Sequence, residues 1–386
     1  MSKRLGLWVL VLLLAAAICL NLPVSRAAAS APPQISAQAA IVIEQSSGKV
    51  LWGLNRDKRM YPASTTKIMT AMLALEQLGL SDKISLPANY VNVGETGLGL
   101  MPNTTHTAED LLMAMMLYSA NDAAQAVAIG TGGTEQTFVE QMNKRAADMG
   151  LKNTHFVNPH GLHNDNHYTT AYDMAMIARA ALDNQEFRRI VSTSSFTVRH
   201  LNGGSDYVVK NRNGLLTQYP QADGVKTGYT RQAGNCFVGS ATKEGMQLIV
   251  VLFNSADIYA DATILLDWGF ANYGRTLIVE ANAVKGSVPV QNGGRGEVAV
   301  LAEKSLYYVG ERSSRADLTE KIDLPNMIIA PVHRGEVIGS ISYTEPGGDT
   351  YSTNLLAAKD VGKYSLRLVI RQAFQSVWQA FVVPFS

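Results

Sequence analysis

The chain has only two cysteines in 386 residues, 17% charged residues, and no excess of either sign of charge. Cys19 lies in an apolar run directly after Ile18, where a lipoprotein cleavage site requires a small residue. With that run removed, Cys236 stands alone and no intramolecular disulfide can form. Its setting, Asn235-Cys236-Phe237-Val238-Gly239, reads as a buried strand thiol with no base beside it in sequence. Lysine plus arginine (33) nearly balances aspartate plus glutamate (32), so no overall field draws nucleic acid or another polyanion. A hydrophobic content of 47% excludes a disordered or fibrous chain and gives room for two domains. There is no internal repeat and no low-complexity tract.

The two ends differ from the rest. Lys3 and Arg4 precede an apolar run from Leu5 to Leu20, followed by Pro23 and the small residues Ala27 to Ala31. This is the order of a secretory signal peptide over 1–31, and it places the remainder outside the cytoplasm; the run is near the lower length limit for an uncleaved membrane span. Removing Lys3, Arg4 and Arg26 leaves 30 of the 33 basic residues against 32 acidic ones. Near the other end, Leu366, Val369, Ile370, Ala373, Phe374, Val377, Trp378 and Phe381 form one helical stripe, with Lys363, Arg367 and Arg371 off it. A basic amphipathic helix over 361–384 suits a membrane surface, the competing reading being a helix docked on its own protein.

Between the ends, Ala39 to Leu54 reads as a β-hairpin turning at Ser47-Gly48. A helix follows Pro62-Ala63-Ser64 and stops at Gly79, with Met69, Met72, Leu73 and Leu78 inward. Ala108 to about Leu182 reads as a helical block broken at Gly130–Gly133 and Asn158-Pro159. β-runs return at 194–198, 207–209, 236–242 and 247–253, the last two joined at Glu244-Gly245; a helix from Tyr259 to Phe270 then exits at Gly274. The spacing predicts an α+β domain over 35–273 whose antiparallel sheet joins the first hairpin to the last strands. Short β-runs at 298–301, 306–309, 327–329 and 337–343 predict a small all-β domain over 276–359.

Three short elements occur in order: Ser64-Thr65-Thr66-Lys67, Ser119-Ala120-Asn121 and Lys226-Thr227-Gly228. Serine and lysine three apart at a helix start share one face, about 5–6 Å apart at Cβ, so the lysine can take the hydroxyl proton. Lys67 must then be largely neutral, which burial and a second cation, Lys226, would promote. The helix N-terminus supplies N–H groups where an oxyanion would form. Ser119 offers a hydroxyl to relay a proton to a leaving amine, and Asn121 an amide to hold a peptide. Lys226 and Thr227 suit a carboxylate, and Gly228 lets a substrate backbone approach. Each element alone reads equally as a cap, a turn or a strand end; their order in one exported chain carries the weight.

Ser-x-x-Lys with Lys-Thr-Gly is the set of penicillin-binding proteins and class A β-lactamases. The chain resembles the low-molecular-mass penicillin-binding proteins, the serine-type D-alanyl-D-alanine carboxypeptidase family. The likeness extends to Tyr118–Ala123, Phe138–Asn143, Phe156–Leu162, Tyr172–Ala175 and Gly224–Thr230, and covers roughly 35–272. It implies a transpeptidase-like domain with Ser64 as nucleophile, Lys67 as its base, and Ser119 and Asn121 as the second element. Lys226, Thr227, Gly228, Tyr229 and Thr230 would line the substrate edge, with the N–H groups of Ser64 and Tyr229 as the oxyanion hole. The implied partners are peptidoglycan stem peptides and β-lactams, with no cofactor, metal or nucleic acid.

One departure bears on specificity. Some family members carry an arginine shortly after the strand ending at Phe253, where this chain reads Asn254-Ser255-Ala256-Asp257. Carboxylate recognition then rests on Lys226, Thr227 and Thr230. A DD-endopeptidase would use the same serine. A class A β-lactamase is disfavoured because no glutamate between Asn121 and Lys226 has an asparagine four residues later; a catalytically silent wall-binding scaffold would not need all of Ser64, Lys67 and Lys226. His160, His163 and His167 share a loop, but the chemistry needs no metal. Gly97 and Gly99 lack the Lys-Ser/Thr of a phosphate loop.

Overall fold

Six consecutive side chains, Leu248 to Phe253, are wholly buried, which requires a strand covered on both faces. The computed structural model describes residues 31–199, 203–294, 296–312 and 317–364. The expected signal peptide up to residue 30, and the expected terminal helix beyond residue 364, lie outside them. The described residues from Pro33 onward belong to one unit.

Strands β1 (Ala39–Glu44) and β2 (Val50–Leu54) form the expected hairpin. A pair of three-residue strands, β3 (Lys83–Ser85) and β4 (Thr105–Thr107), is too short to be legible in the sequence. β5 (Ser195–Val198) pairs β6 (Tyr207–Lys210). β7 (Ala222–Thr230), β8 (Gly234–Lys243) and β9 (Met246–Ser255) complete an antiparallel sheet of order β2-β1-β9-β8-β7, in which Ala39 of β1 lies opposite Phe253 of β9. The first hairpin thus joins the last strands, and β7 is left at an edge.

Alternation decides which layer each side chain enters. Ile249, Val251 and Phe253 pack with Ile41 and Ile43 under the helical block, while Leu248, Val250 and Leu252 pack with Val42 under the final helix. The block comprises α1 (Lys67–Gln77), α2 (Ala108–Met113), α3 (Asn121–Gly132), α4 (Glu135–Asp148), α5 (Ala171–Leu182) and α6 (Gln185–Ser192), followed by the short α7 (Leu215–Gln218). Thr134, Thr170 and Asn184 cap α4, α5 and α6 by accepting backbone N–H groups. Along α1, Met69, Met72 and Leu73 are buried as expected, whereas Leu78 is only half-buried beyond the helix end.

The final helix, α8 (Ile258–Asn272), does not exit through glycine. Its cap residue is Tyr273, already extended at φ −113° and ψ 151°, and the chain runs straight into β10 (Tyr273–Val279), so Gly274 is a strand residue. The remaining described chain is all β: β11 (Val284–Gln291), β12 (Glu297–Ala302), β13 (Leu306–Glu311), β14 (Thr319–Asp323), β15 (Ile328–Ile329), β16 (Val337–Thr344) and β17 (Thr350–Ala357). β10 pairs β13, and the others form a sheet of order β14-β16-β17-β12-β11-β15. β10, β11, β14 and β17 carry no separate expectation from the sequence; in β14, Thr-Glu-Lys-Ile-Asp, every residue is exposed and a single apolar side chain leaves no alternation to read.

Phe253→Ala removes a fully buried ring from the central strand and is expected to cost about 3–5 kcal/mol, read as a lowered denaturant midpoint. Leu78→Ala should shift the midpoint far less.

Candidate active site

From Pro62 to Ala74, Ser64 is the only residue that is not buried. It sits in a 3₁₀ turn, Ala63–Thr66, that leads into α1. Ala63 holds a left-handed backbone at φ +47°, uncommon for a residue with a Cβ, which sets the angle at which Ser64 emerges. The turn is tied internally: Thr65 Oγ1 donates to Pro62 O at 2.7 Å and Thr66 Oγ1 to Ala63 O at 2.8 Å. The irregular segment 158–162 is pressed against it. A Cβ on Gly161, at φ +86°, would lie 1.9 Å from Ala63 O, so only glycine allows this approach.

Lys67 is fully buried, and its Nζ has three neighbours: Asn121 Oδ1 at 2.7 Å, the His160 carbonyl at 2.6 Å and Ser64 Oγ at 2.9 Å. Burial holds its ammonium well below the usual lysine range and nearby Lys226 lowers it further, against smaller opposing effects of Glu95 and Asp122. A neutral amine has two hydrogens and one lone pair. The two carbonyl oxygens can only accept, so they take both hydrogens. The lone pair is left for the Ser64 hydroxyl, which can then donate to Lys67.

The second element is shaped by backbone irregularity. A π-turn, Ala114–Tyr118, ends at Ser119, whose backbone is left-handed at φ 68°, and α3 starts anew at Asn121. Asn121 joins Lys67 directly; no hydrogen bond links the Ser119 hydroxyl to Lys67 or Lys226. Asp122, which carried no assignment from the sequence, is the organiser. Its buried Oδ2 accepts from the N–H groups of Leu98, Gly99 and Leu100 at 2.8, 2.8 and 3.1 Å. A Cβ on Gly97 would lie 2.8 Å from the same oxygen. The Gly97–Gly99 segment thus does form an anion nest, but the anion is the protein's own carboxylate.

The third element lies on the edge strand. A Cβ on Gly228 would be 2.9 Å from Ser64 N, so the strand touches the start of the 3₁₀ turn. Lys226 is buried and its Nζ donates to Thr227 O at 2.9 Å. Burial pushes it down to about 7, and Arg212 adds to the depression. Thr227 is half-buried and Tyr229 exposed, while Thr230 Oγ1 accepts from Ala233 N at 3.0 Å and closes the following turn. Arg212, missed in the sequence, has its guanidinium held 4.0 Å over the Tyr118 ring, and its backbone N–H donates to Leu117 O. It lies in the polar run Lys210-Asn211-Arg212-Asn213, which carries no motif signal. At the position of the departure, Asn254 has φ +52° and Asp257 caps α8, while Arg212 places a guanidinium near Lys226.

The three histidines do not act as a set. His163 pairs with exposed Asp165 at 3.3 Å. His160 and His167 are buried, and burial pushes both down to about 3, aided by Lys67. His167 Nδ1 accepts from Val157 N and Nε2 lies 2.8 Å from Thr66 Oγ1, whose own hydrogen goes to Ala63 O; His167 is therefore the Nε2–H tautomer, bracing the turn. Among the described residues no His/Cys/Asp/Glu group is arranged to hold a metal ion. Cys236 is fully buried in β8, 3.5 Å from Tyr61 O, and burial pushes its thiol up to about 12.

Fold and site together define a serine hydrolase of the penicillin-binding class. The family profile described as D-alanyl-D-alanine carboxypeptidase matches residues 26–257, and that of the penicillin-binding protein 5 C-terminal domain matches 273–363. The chain belongs to the D-alanyl-D-alanine carboxypeptidase family of serine peptidases. It is 32% identical over 336 residues to D-alanyl-D-alanine carboxypeptidase DacF of Bacillus subtilis, covering 85% of this chain and 86% of that protein. It is 34% identical over 352 residues to DacA of Haemophilus influenzae, covering 86% and 87%. The crystal structure of penicillin binding protein 5 from Haemophilus influenzae superposes with a TM-score of 0.69 at 33% identity, over 86% of this chain and all of that one.

The buried neutral histidines contribute an acid response to the fold. Their folded-state values lie below the unfolded value near 6.5, so the unfolded chain binds more protons as pH falls. Stability is full above about 6.5 and should decline as pH drops toward about 3. Thermal unfolding across this range checks it, and His167→Gln, which keeps an N–H donor, should flatten the slope.

Proposed function

We propose that the chain is a D-alanyl-D-alanine carboxypeptidase that removes the terminal D-alanine of peptidoglycan stem peptides through an acyl-enzyme on Ser64. The observation that carries this reading is the Lys67 amine, buried, depressed and left with one lone pair beside the only unburied residue of its segment. Lys67 takes the hydroxyl proton as Ser64 Oγ attacks the carbonyl between the two D-alanines. The N–H groups of Ser64 and Tyr229 stabilise the tetrahedral oxygen. The C–N bond then breaks, and the proton returns to the leaving amine through Lys67 or Ser119. Water hydrolyses the ester and regenerates Ser64.

Asn121 holds the substrate amide. Lys226 and Thr227 bind the terminal carboxylate, with Thr230 and the nearby Arg212 in support, and Gly228 admits the substrate backbone against the edge strand. β-Lactams acylate the same serine. The intact Lys67–Ser64 pair argues against a silent scaffold, and the missing glutamate–asparagine pair against a β-lactamase; a DD-endopeptidase is the remaining alternative, separated by whether free D-alanine or muropeptide monomers are released.

The domain limits follow the same reading: 35–273 for the catalytic domain and 276–359 for the β domain. Residues 1–31 act as a signal peptide and 361–384 as an amphipathic helix on the outer face of the cytoplasmic membrane; no helix of the described residues is long and apolar enough to cross a membrane.

Ser64→Ala should abolish labelling by a fluorescent penicillin and D-alanine release from a diacetylated tripeptide; covalent label retained on that variant overturns the assignment. The two lysines should also shape the pH profile of kcat/KM. Activity rises as Lys67 loses its proton and falls as Lys226 loses the charge that binds carboxylate, giving a bell. Lys226→Arg, cationic at every accessible pH, should move only the alkaline limb upward.

A further inference from the structure

A groove of about 680 Å³ lies where the turn between β1 and β2 and helix α5 meet the β-rich region. β2 and β7 are opposite edges of the five-stranded sheet, so four inter-strand spacings of about 4.8 Å separate this groove from the Ser64 edge by roughly 20 Å. Its charge is one-sided. Lys49, Arg56, Arg179, Arg275 and Lys304 line it against a single carboxylate, Asp349.

The ion pairs do not cancel this imbalance. Lys49 is satisfied by Glu345 at 2.6 Å and Asp349 at 3.8 Å, and Arg56 by Asp57 at 3.2 Å. Arg179 donates only to carbonyls, Gln45 O at 2.6 Å and Ser46 O at 2.9 Å. Arg275 stacks 3.4 Å above the Tyr307 ring and donates to Gly245 O, while its buried Nε has no partner. Lys304 is exposed, and among the described residues it forms no ion pair. Buried Glu44, beneath the same turn, is engaged by Ser46 and Ser47 and does not line the groove. Three uncompensated cations therefore face one open groove, two of them fixed by carbonyl or ring contacts before any ligand arrives.

We propose that this groove is an exosite for an anionic cell-wall polymer, one that carries repeated phosphate or carboxylate groups along its chain. An open groove with several separate cations suits repeated charges better than one small anion. The placement opposite the Ser64 edge lets the enzyme hold wall material without obstructing the cleft. The wall as the source of the polymer rests on the function proposed above; the anion site itself does not.

The test uses the purified full chain and insoluble sacculi of a Gram-positive wall, before and after hydrofluoric acid removes phosphodiester-linked polymers. Wild-type protein should co-sediment, less so at high salt. Lys304→Glu and Arg275→Gln should each weaken binding about fivefold, the size of one well-placed charge contact. Penicillin labelling and D-alanine release from a soluble tripeptide should stay unchanged. Binding lost after acid treatment identifies phosphate as the recognised group, and binding retained but still weakened by Lys304→Glu and Arg275→Gln identifies carboxylate. Sedimentation unaffected by Lys304→Glu and by Arg275→Gln, or no sedimentation of wild-type protein, overturns the exosite. Wall binding without D-alanine release would instead remove the carboxypeptidase reading and leave the exosite standing.

Discussion

A lysine nitrogen shut away from water, with two carbonyls and one hydroxyl around it, is the constraint on which the site depends. Three segments distant in sequence must meet to provide those partners: the 3₁₀ turn, the start of α3 and the His160 loop. Each is held by its own device. Gly161 lets the loop backbone reach Ala63, His167 braces Thr66, and Asp122 gathers the 98–100 amides beside Asn121. The carbonyls that consume the amine's hydrogens leave its basic electron pair no other direction than the serine.

Electrostatics and packing are hard to separate here. Burying two lysines without a carboxylate partner destabilises their charged forms, and the fold accommodates this by lowering both, to about 7 for Lys226. The cost is borne by the layers around them: a sheet covered on both faces and a helical block with wholly buried Met69, Met115 and Met174. A loosened core would let water reach Lys67 and return it to the ordinary charged lysine.

The large plan was legible in the sequence because periodicity reports it. The hairpin at 39–54, the helix after Ser64, the two strands meeting at Glu244-Gly245 and the all-β character after residue 276 all follow from patterns of two or about four. The three motifs were legible because spacing fixes a shared face or a strand edge. What escaped was information carried by backbone conformation and by polar atoms acting at a distance. The π-turn before Ser119, the left-handed Ala63 and the nest closed on Asp122 leave no periodic trace, and Arg212 belongs to a loop with no motif. The near balance of 33 basic and 32 acidic residues likewise conceals the five cations that line one groove.

The thiol in β8, the only one among the described residues, has a practical meaning. With Cys236 sealed in the sheet and its proton held to about pH 12, the described residues present no thiolate to oxidants, metals or alkylating agents. Only when β8 parts from its neighbours does the sulfur meet solvent, so the rate at which a thiol reagent reacts counts openings of the central sheet. In a chain without residues 1–31, Cys236 is a built-in clock for that event, needing no added label.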